Sequence, residues 1–136
     1  MAFKPGMTFI NLSVSDLKKS MNFFNEMGFS FNMQFTDENA ACMVINDNTF
    51  AMLLTEAHFK NFTNKEIANA ATHTEVLVSF AVESREQVDA ILKKAIESGG
   101  SPATDLKDLG FMYQAGFQDL DGHIWEVFYM DMEAQQ

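Results

Sequence analysis

The sequence predicts an α+β fold: two paired βαβββ modules whose mixed, curved sheets enclose a cleft and carry their helices on the outside. Two observations support this. An alternating apolar segment runs straight into a capped amphipathic helix and then into three short β-type runs, and the order occurs twice. Laying residues 9–14 over 77–82 sets the copies 68 apart, and laying Asn48 over Gly122 at the closing hairpins sets them 74 apart, so about six residues are inserted in the second copy. Module one covers about 7–56, a connector about 57–74, and module two about 75–131, all within a single domain of 136 residues.

The first strand is the run 8–14, where period two puts Ile10, Leu12 and Val14 on one face and Phe9, Asn11 and Ser13 on the other. Ser15 and Asp16 supply N-cap chemistry, and Leu17, Met21, Phe24 and Met27 recur at helical spacing until Gly28 offers a stop. Strands follow at 30–36, 40–45 and 49–55, with Asn46-Asp47-Asn48 turning the last two. The polar connector carries Phe59, Phe62 and Ile67 as isolated anchors and a short helix.

The scheme then restarts with a strand at 75–82. Ser84-Arg85-Glu86-Gln87 fits a capping box, and Val88, Ile91, Leu92, Ala95 and Ile96 form the apolar stripe of a helix ended by Gly99-Gly100. Strands at 102–106 and 112–117 lead through Asp119-Leu120-Asp121-Gly122 into a last strand at 123–129.

Lys and Arg number 9 against 19 Asp and Glu, a net charge of −10, with 47% hydrophobic residues. A chain of this size and apolar content builds a core without disulfides or a structural metal. Its acidity argues against nucleic acid and anionic membrane surfaces as partners. No run reaches the length of a spanning helix, and the first residues lack a secretory pattern, so a cytoplasmic protein is expected. The lone Cys42 agrees, being placed for a small buried side chain. The 14 Phe and 10 Met point to a soft apolar interior, whether as ordinary core or as a hydrophobic ligand cavity.

The stretches Asn11-Leu12-Ser13-Val14-Ser15-Asp16-Leu17-Lys18-Lys19-Ser20 with Phe23-Phe24, and Gly116-Phe117-Gln118-Asp119-Leu120-Asp121-Gly122-His123-Ile124-Trp125-Glu126-Val127-Phe128, resemble the two signatures of the vicinal oxygen chelate superfamily. That superfamily includes glyoxalase I, fosfomycin- and bleomycin-resistance proteins and extradiol dioxygenases. The closing stretch, with Gln34-Phe35-Thr36-Asp37 and 40–45, is similar to a bacterial group related to lactoylglutathione lyase. The resemblance implies a homodimer, and a divalent metal held by His, Gln or Glu on the first and last strand of each module. At those four positions stand Phe9, Leu77, Met52 and Glu126. Only Glu126 can coordinate a hard cation, so no cofactor is expected, and Glu126 enters as a ligand only if a divalent metal is present.

The implied cleft is therefore floored by hydrocarbon. A carboxylate there needs a raised pKa or a partner, with Asn11, Ser79 and Tyr113 as candidates. Two roles are open to Glu126: a general base or polar anchor, or a carboxylate satisfied by its neighbours. Asn11 and Ser79 are equivalent across the repeat and either bind ligand oxygens or satisfy one another and Glu126. Tyr113, after Gly110-Phe111-Met112, is placed as a ligand contact that could steady an anion. The candidate ligand-binding set is Phe9, Asn11, Met52, Leu77, Ser79, Tyr113, Glu126 and Phe128, with Glu126 and Tyr113 as the catalytic candidates.

The remaining residues point elsewhere. His123 is expected to face solvent at its hairpin, while His58 and His73 flank the connector without metal-ligand spacing. Trp125 should pack under a helix, opposite Glu126. Lys60 and Lys65 read as surface charge. The expected function is to bind an apolar or amphipathic small molecule in the cleft; a lyase or isomerase with Glu126 as base or ligand, and a structural dimer without ligand, are the alternatives.

Overall fold

The computed structural model describes residues 1–131 and 133. By its contacts the chain divides into two compact units, Met1–Ile67 and Ala68–Gln136, each built around one four-stranded sheet.

In the first unit, β1 (Thr8–Val14) leads into α1 (Leu17–Glu26), and β2 (Ser30–Asn32), β3 (Ala40–Asn46) and β4 (Thr49–Thr55) complete a sheet of order β1-β4-β3-β2. β1 runs parallel to β4, and the other pairs are antiparallel. The Asp16 carboxylate accepts from the Lys19 amide at 3.1 Å and starts α1. The helix buries Leu17, Ser20, Phe23 and Phe24, whereas Met21, expected in the apolar stripe, is half-buried.

The strand expected over 30–36 stops at Asn32, because local side chains outcompete the ladder. Asn32 Oδ1 accepts from the Gln34 amide at 3.0 Å, folding Met33–Phe35 into a single 3-10 turn. The Thr36 hydroxyl donates to the Asn32 carbonyl and accepts from the Cys42 amide, closing the gap to β3. After β4, α2 (Glu56–Phe59) lies against β1 and β4.

The second unit repeats the plan. β5 (Leu77–Ala81), α3 (Arg85–Glu97), β6 (Ser101–Asp108), β7 (Met112–Gln118) and β8 (Ile124–Met130) give the order β5-β8-β7-β6, again with one parallel pair, β5 with β8. The registers match across the units: Asn11 pairs with Met52, and Ser79 with Glu126, the equivalences the two offsets predict. Ser84 caps α3 at the Gln87 amide, but the Gln87 side chain accepts from the Glu83 amide at 2.7 Å, one residue earlier than a standard capping box. β6 extends beyond the expected 102–106 at both ends and pairs irregularly with β7.

One face of this second sheet is packed against α3. Val88, Ala115 and Val127 form its centre, with Phe80, Ile91, Leu92, Tyr113 and Tyr129 around them. Trp125 and Phe117 are fully buried. Among the described residues no helix is long and apolar enough to cross a membrane.

Candidate functional site

Alternation along β5, β7 and β8 sorts the second unit's candidate residues onto two faces. Val78, Phe80, Tyr113, Ala115, Val127 and Tyr129 belong with α3. Leu77, Ser79, Gln114, Gly116, Glu126 and Phe128 share the opposite face, since Ser79 pairs with Glu126 and Glu126 with Gly116. Leu77 is 52% exposed there, and Glu126 and Phe128 are half-buried.

At the centre of that face the Ser79 hydroxyl donates to Glu126 Oε1 at 2.6 Å, so of the three partners expected for Glu126 the structure selects Ser79. A charge-assisted O–H···O bond of this length fixes the carboxylate's direction. Gly116 stands directly across from it in β7 with no side chain. A Cβ at Gly116 would come within 2.7 Å of Thr104 Oγ1, so the space that glycine leaves beside Glu126 is taken up by the Thr104 side chain.

In the first unit, Phe9, Asn11 and Met52 share one face of their sheet, with Phe50 beside them. The Phe9 and Phe50 rings stack with centroids 5.1 Å apart, and Phe9 remains 49% exposed. This makes a flat aromatic shelf with an amide, Asn11, at its edge.

Tyr113 does not join Glu126. It lies on the α3 face, where its hydroxyl donates to Asp89 Oδ1 at 2.8 Å and its ring carries the Arg85 guanidinium at 4.9 Å. The bond to Asp89 raises the phenol's pKa above the ordinary value. Arg85 in turn pairs with Asp108 at 2.9 Å and donates to the Gly110 carbonyl, so Tyr113 belongs to a latch that holds the β6–β7 hairpin to α3. The expectation placed Tyr113 with the ligand as an aromatic hydroxyl near Gly116 in a loop closing over a cleft; register, which only the folded sheet supplies, turns it to the other side.

The structure also assigns a role that sequence reasoning missed. Asp119, expected only as part of a turn, is buried, with its Oδ1 accepting from the Asp121 and His123 amides and its Oδ2 from Trp125 Nε1 at 3.0 Å. Burial pushes its carboxyl pKa up. The Asp-x-Asp-Gly spacing was the available signal for the amide bonds; the reach to Trp125 was not encoded locally. Gly122 completes the turn at φ +96°, with the Ala70 carbonyl oxygen 2.7 Å from where a Cβ would sit, so no other residue fits. His123, expected to face solvent, is half-buried at this turn.

The other polar candidates are engaged locally. His58 lies edge-on to Phe62, and His73 Nδ1 is 2.8 Å from the Thr72 hydroxyl. Cys42 is buried, which raises its thiol pKa. Among the described residues no three His, Cys, Asp or Glu side chains converge as a metal site.

Comparison with known proteins adds the context. The family model described as Glyoxalase/Bleomycin resistance protein/Dioxygenase superfamily matches residues 6–127. No curated protein sequence matches the chain. Among solved structures, a hypothetical protein from S. aureus is similar at 30% identity and TM-score 0.79, covering 94% of this chain and 95% of that one. A glyoxalase/bleomycin resistance protein/dioxygenase family enzyme from Burkholderia phytofirmans superposes with TM-score 0.75 at 15% identity, covering 90% of this chain and 96% of that one. A genomically encoded fosfomycin resistance protein from Listeria monocytogenes does so with TM-score 0.70 at 16% identity, covering 98% of this chain and 100% of that one.

Proposed function

The chain belongs to the glyoxalase/bleomycin resistance protein/dioxygenase superfamily, and we propose that it binds an apolar or amphipathic small molecule on its sheet faces without the superfamily's metal. One observation carries this reading. Where the superfamily sets metal ligands, this chain has Phe9, Met52, Leu77 and Glu126, a set with a single oxygen donor. Three or four fixed N, O or S donors of the right hardness are needed to hold a divalent ion. Hydrocarbon at Phe9 and Leu77 and a weakly donating thioether at Met52 do not fit one. The same substitutions give a ligand apolar surface to cover, most plainly at Leu77 and at the Phe9–Phe50 shelf.

A second reading has its own support. Ser79 aims the Glu126 carboxylate, as a base that abstracts a proton next to a carbonyl would need to be aimed. The homodimer implied by the resemblance and the cytoplasmic location expected from the sequence belong to the proposal as well.

Two measurements on the purified protein test it. Expressed in medium supplemented with zinc, nickel, manganese and iron, the protein should carry no stoichiometric metal, and its melting temperature should ignore chelator. A screen of aromatic and amphipathic compounds should find some that raise that temperature by several degrees, by linkage. Tightly held metal, or a library that moves nothing, overturns the reading. Turnover of a carbonyl substrate that is lost in Glu126→Gln would put the catalytic reading first.

A further inference from the structure

We infer that the ligand taken at Glu126 is a cationic amphiphile, an ammonium or similar group joined to an apolar body. This rests on the binding reading above and adds to it the sign of the ligand's charge.

The argument starts at the carboxylate. Among the described residues Ser79 is the only hydrogen-bond donor to Glu126, and Glu126 makes no ion pair. Its cross-strand neighbour on β7 is Gly116, which brings no side chain and leaves room that Thr104 fills; Leu77, Ile124 and Phe128 on the same face are hydrocarbon, and Gln114 and Gln118 stand diagonally from it on β7. One hydroxyl leaves most of a carboxylate's acceptor capacity unused. An ammonium arriving beside it supplies N–H donors and the opposite charge together, while its apolar body covers Leu77 and Phe128. The Phe128 ring adds a face on which a cation is favoured.

The competing cations of this unit are placed elsewhere, with Lys93 and Lys94 on α3. Arg85 is on the α3 side, held by Asp108 and the Gly110 carbonyl. Lys107 does share the Glu126 face by register, but opposite Gln114 and one strand further out. The field of the unit acts in the same direction. Residues 68–136 contain four Lys and Arg against twelve Asp and Glu, a balance of −8 out of the chain's −10. Such a surface concentrates cations and repels anions before any contact is made.

Three compounds with one body and three head groups separate the possibilities: phenylbutylamine, phenylbutanol and phenylbutanoate, titrated calorimetrically into the wild type and Glu126→Gln. The amine should bind about tenfold or more tightly than the alcohol, a difference of one charge pair, and the carboxylate weakest. In Glu126→Gln the amine should lose about tenfold or more in affinity relative to the alcohol, so that its advantage disappears. Raising the salt concentration on the wild type should weaken the amine alone, a readout that requires no variant. Equal binding of amine and alcohol overturns the cation inference and leaves the binding reading standing. So does an amine advantage that survives Glu126→Gln, because it then comes from the general acidic surface. Silence of all three compounds overturns the inference together with the binding reading.

Discussion

Asp119 shows how much one side chain can organise. Its three accepted bonds hold two amides of the β7–β8 turn and the indole of Trp125, the residue directly before Glu126 on β8. Removing the carboxylate in Asp119→Ala leaves the buried Trp125 indole N–H and two part-buried amides without their acceptor. We expect a loss of about 3 kcal/mol in denaturant unfolding, since a buried unsatisfied donor costs roughly 1–3 kcal/mol. The pH dependence has a definite sign. Burial raises the folded-state pKa above 3.8, so the native state binds the proton more tightly than the unfolded chain does. Stability from this group is therefore fully present below the unfolded value and is lost as pH rises through the folded one. Relative to Asp119→Asn, the wild type should lose stability across that acid window and run parallel to it above; unfolding curves at stepped pH check this.

At the scale of elements, α3 is attached to its sheet by two kinds of contact. The packing of α3 by Val88 against Ala115 and Val127 is supplemented at its N-terminal end by Arg85, which reaches Asp108, Gly110 and the Tyr113 ring at once. These contacts are exposed, and exposed pairs contribute little to global stability. Their effect should be local. Arg85→Ala should leave the melting temperature nearly unchanged but speed amide exchange at Leu109, whose N–H is bonded to the Met112 carbonyl across the hairpin. Unchanged exchange there would show that the hairpin needs no latch.

The chain as a whole is charge-asymmetric: the first unit is close to balanced, and the second holds most of the net charge of −10. Duplex DNA or RNA should therefore not retard the protein at physiological salt in a mobility-shift assay. The two units also share one strand order and one pairing register, down to Asn11 with Met52 and Ser79 with Glu126. Equivalent positions have nevertheless diverged chemically, from amide and thioether in one unit to hydroxyl and carboxylate in the other.

The sequence by itself determined the two-module plan, the helix caps at Asp16 and Ser84 and the identity of the four diverged positions, because periodicity, capping and turn chemistry act over a few neighbouring residues. It also placed Trp125 opposite Glu126, since strand alternation is local. Only the tertiary structure decided that β2 ends at Asn32, that Ser79 rather than Asn11 or Tyr113 serves Glu126, that Tyr113 faces Asp89, and that Asp119 reaches Trp125. The placement of Ser79 beside Glu126, and of Tyr113 away from it, depends on which residue stands opposite which across neighbouring strands. A register shift of one residue exchanges the faces of a strand, and that register is set by long-range pairing and burial rather than by any short stretch of chain.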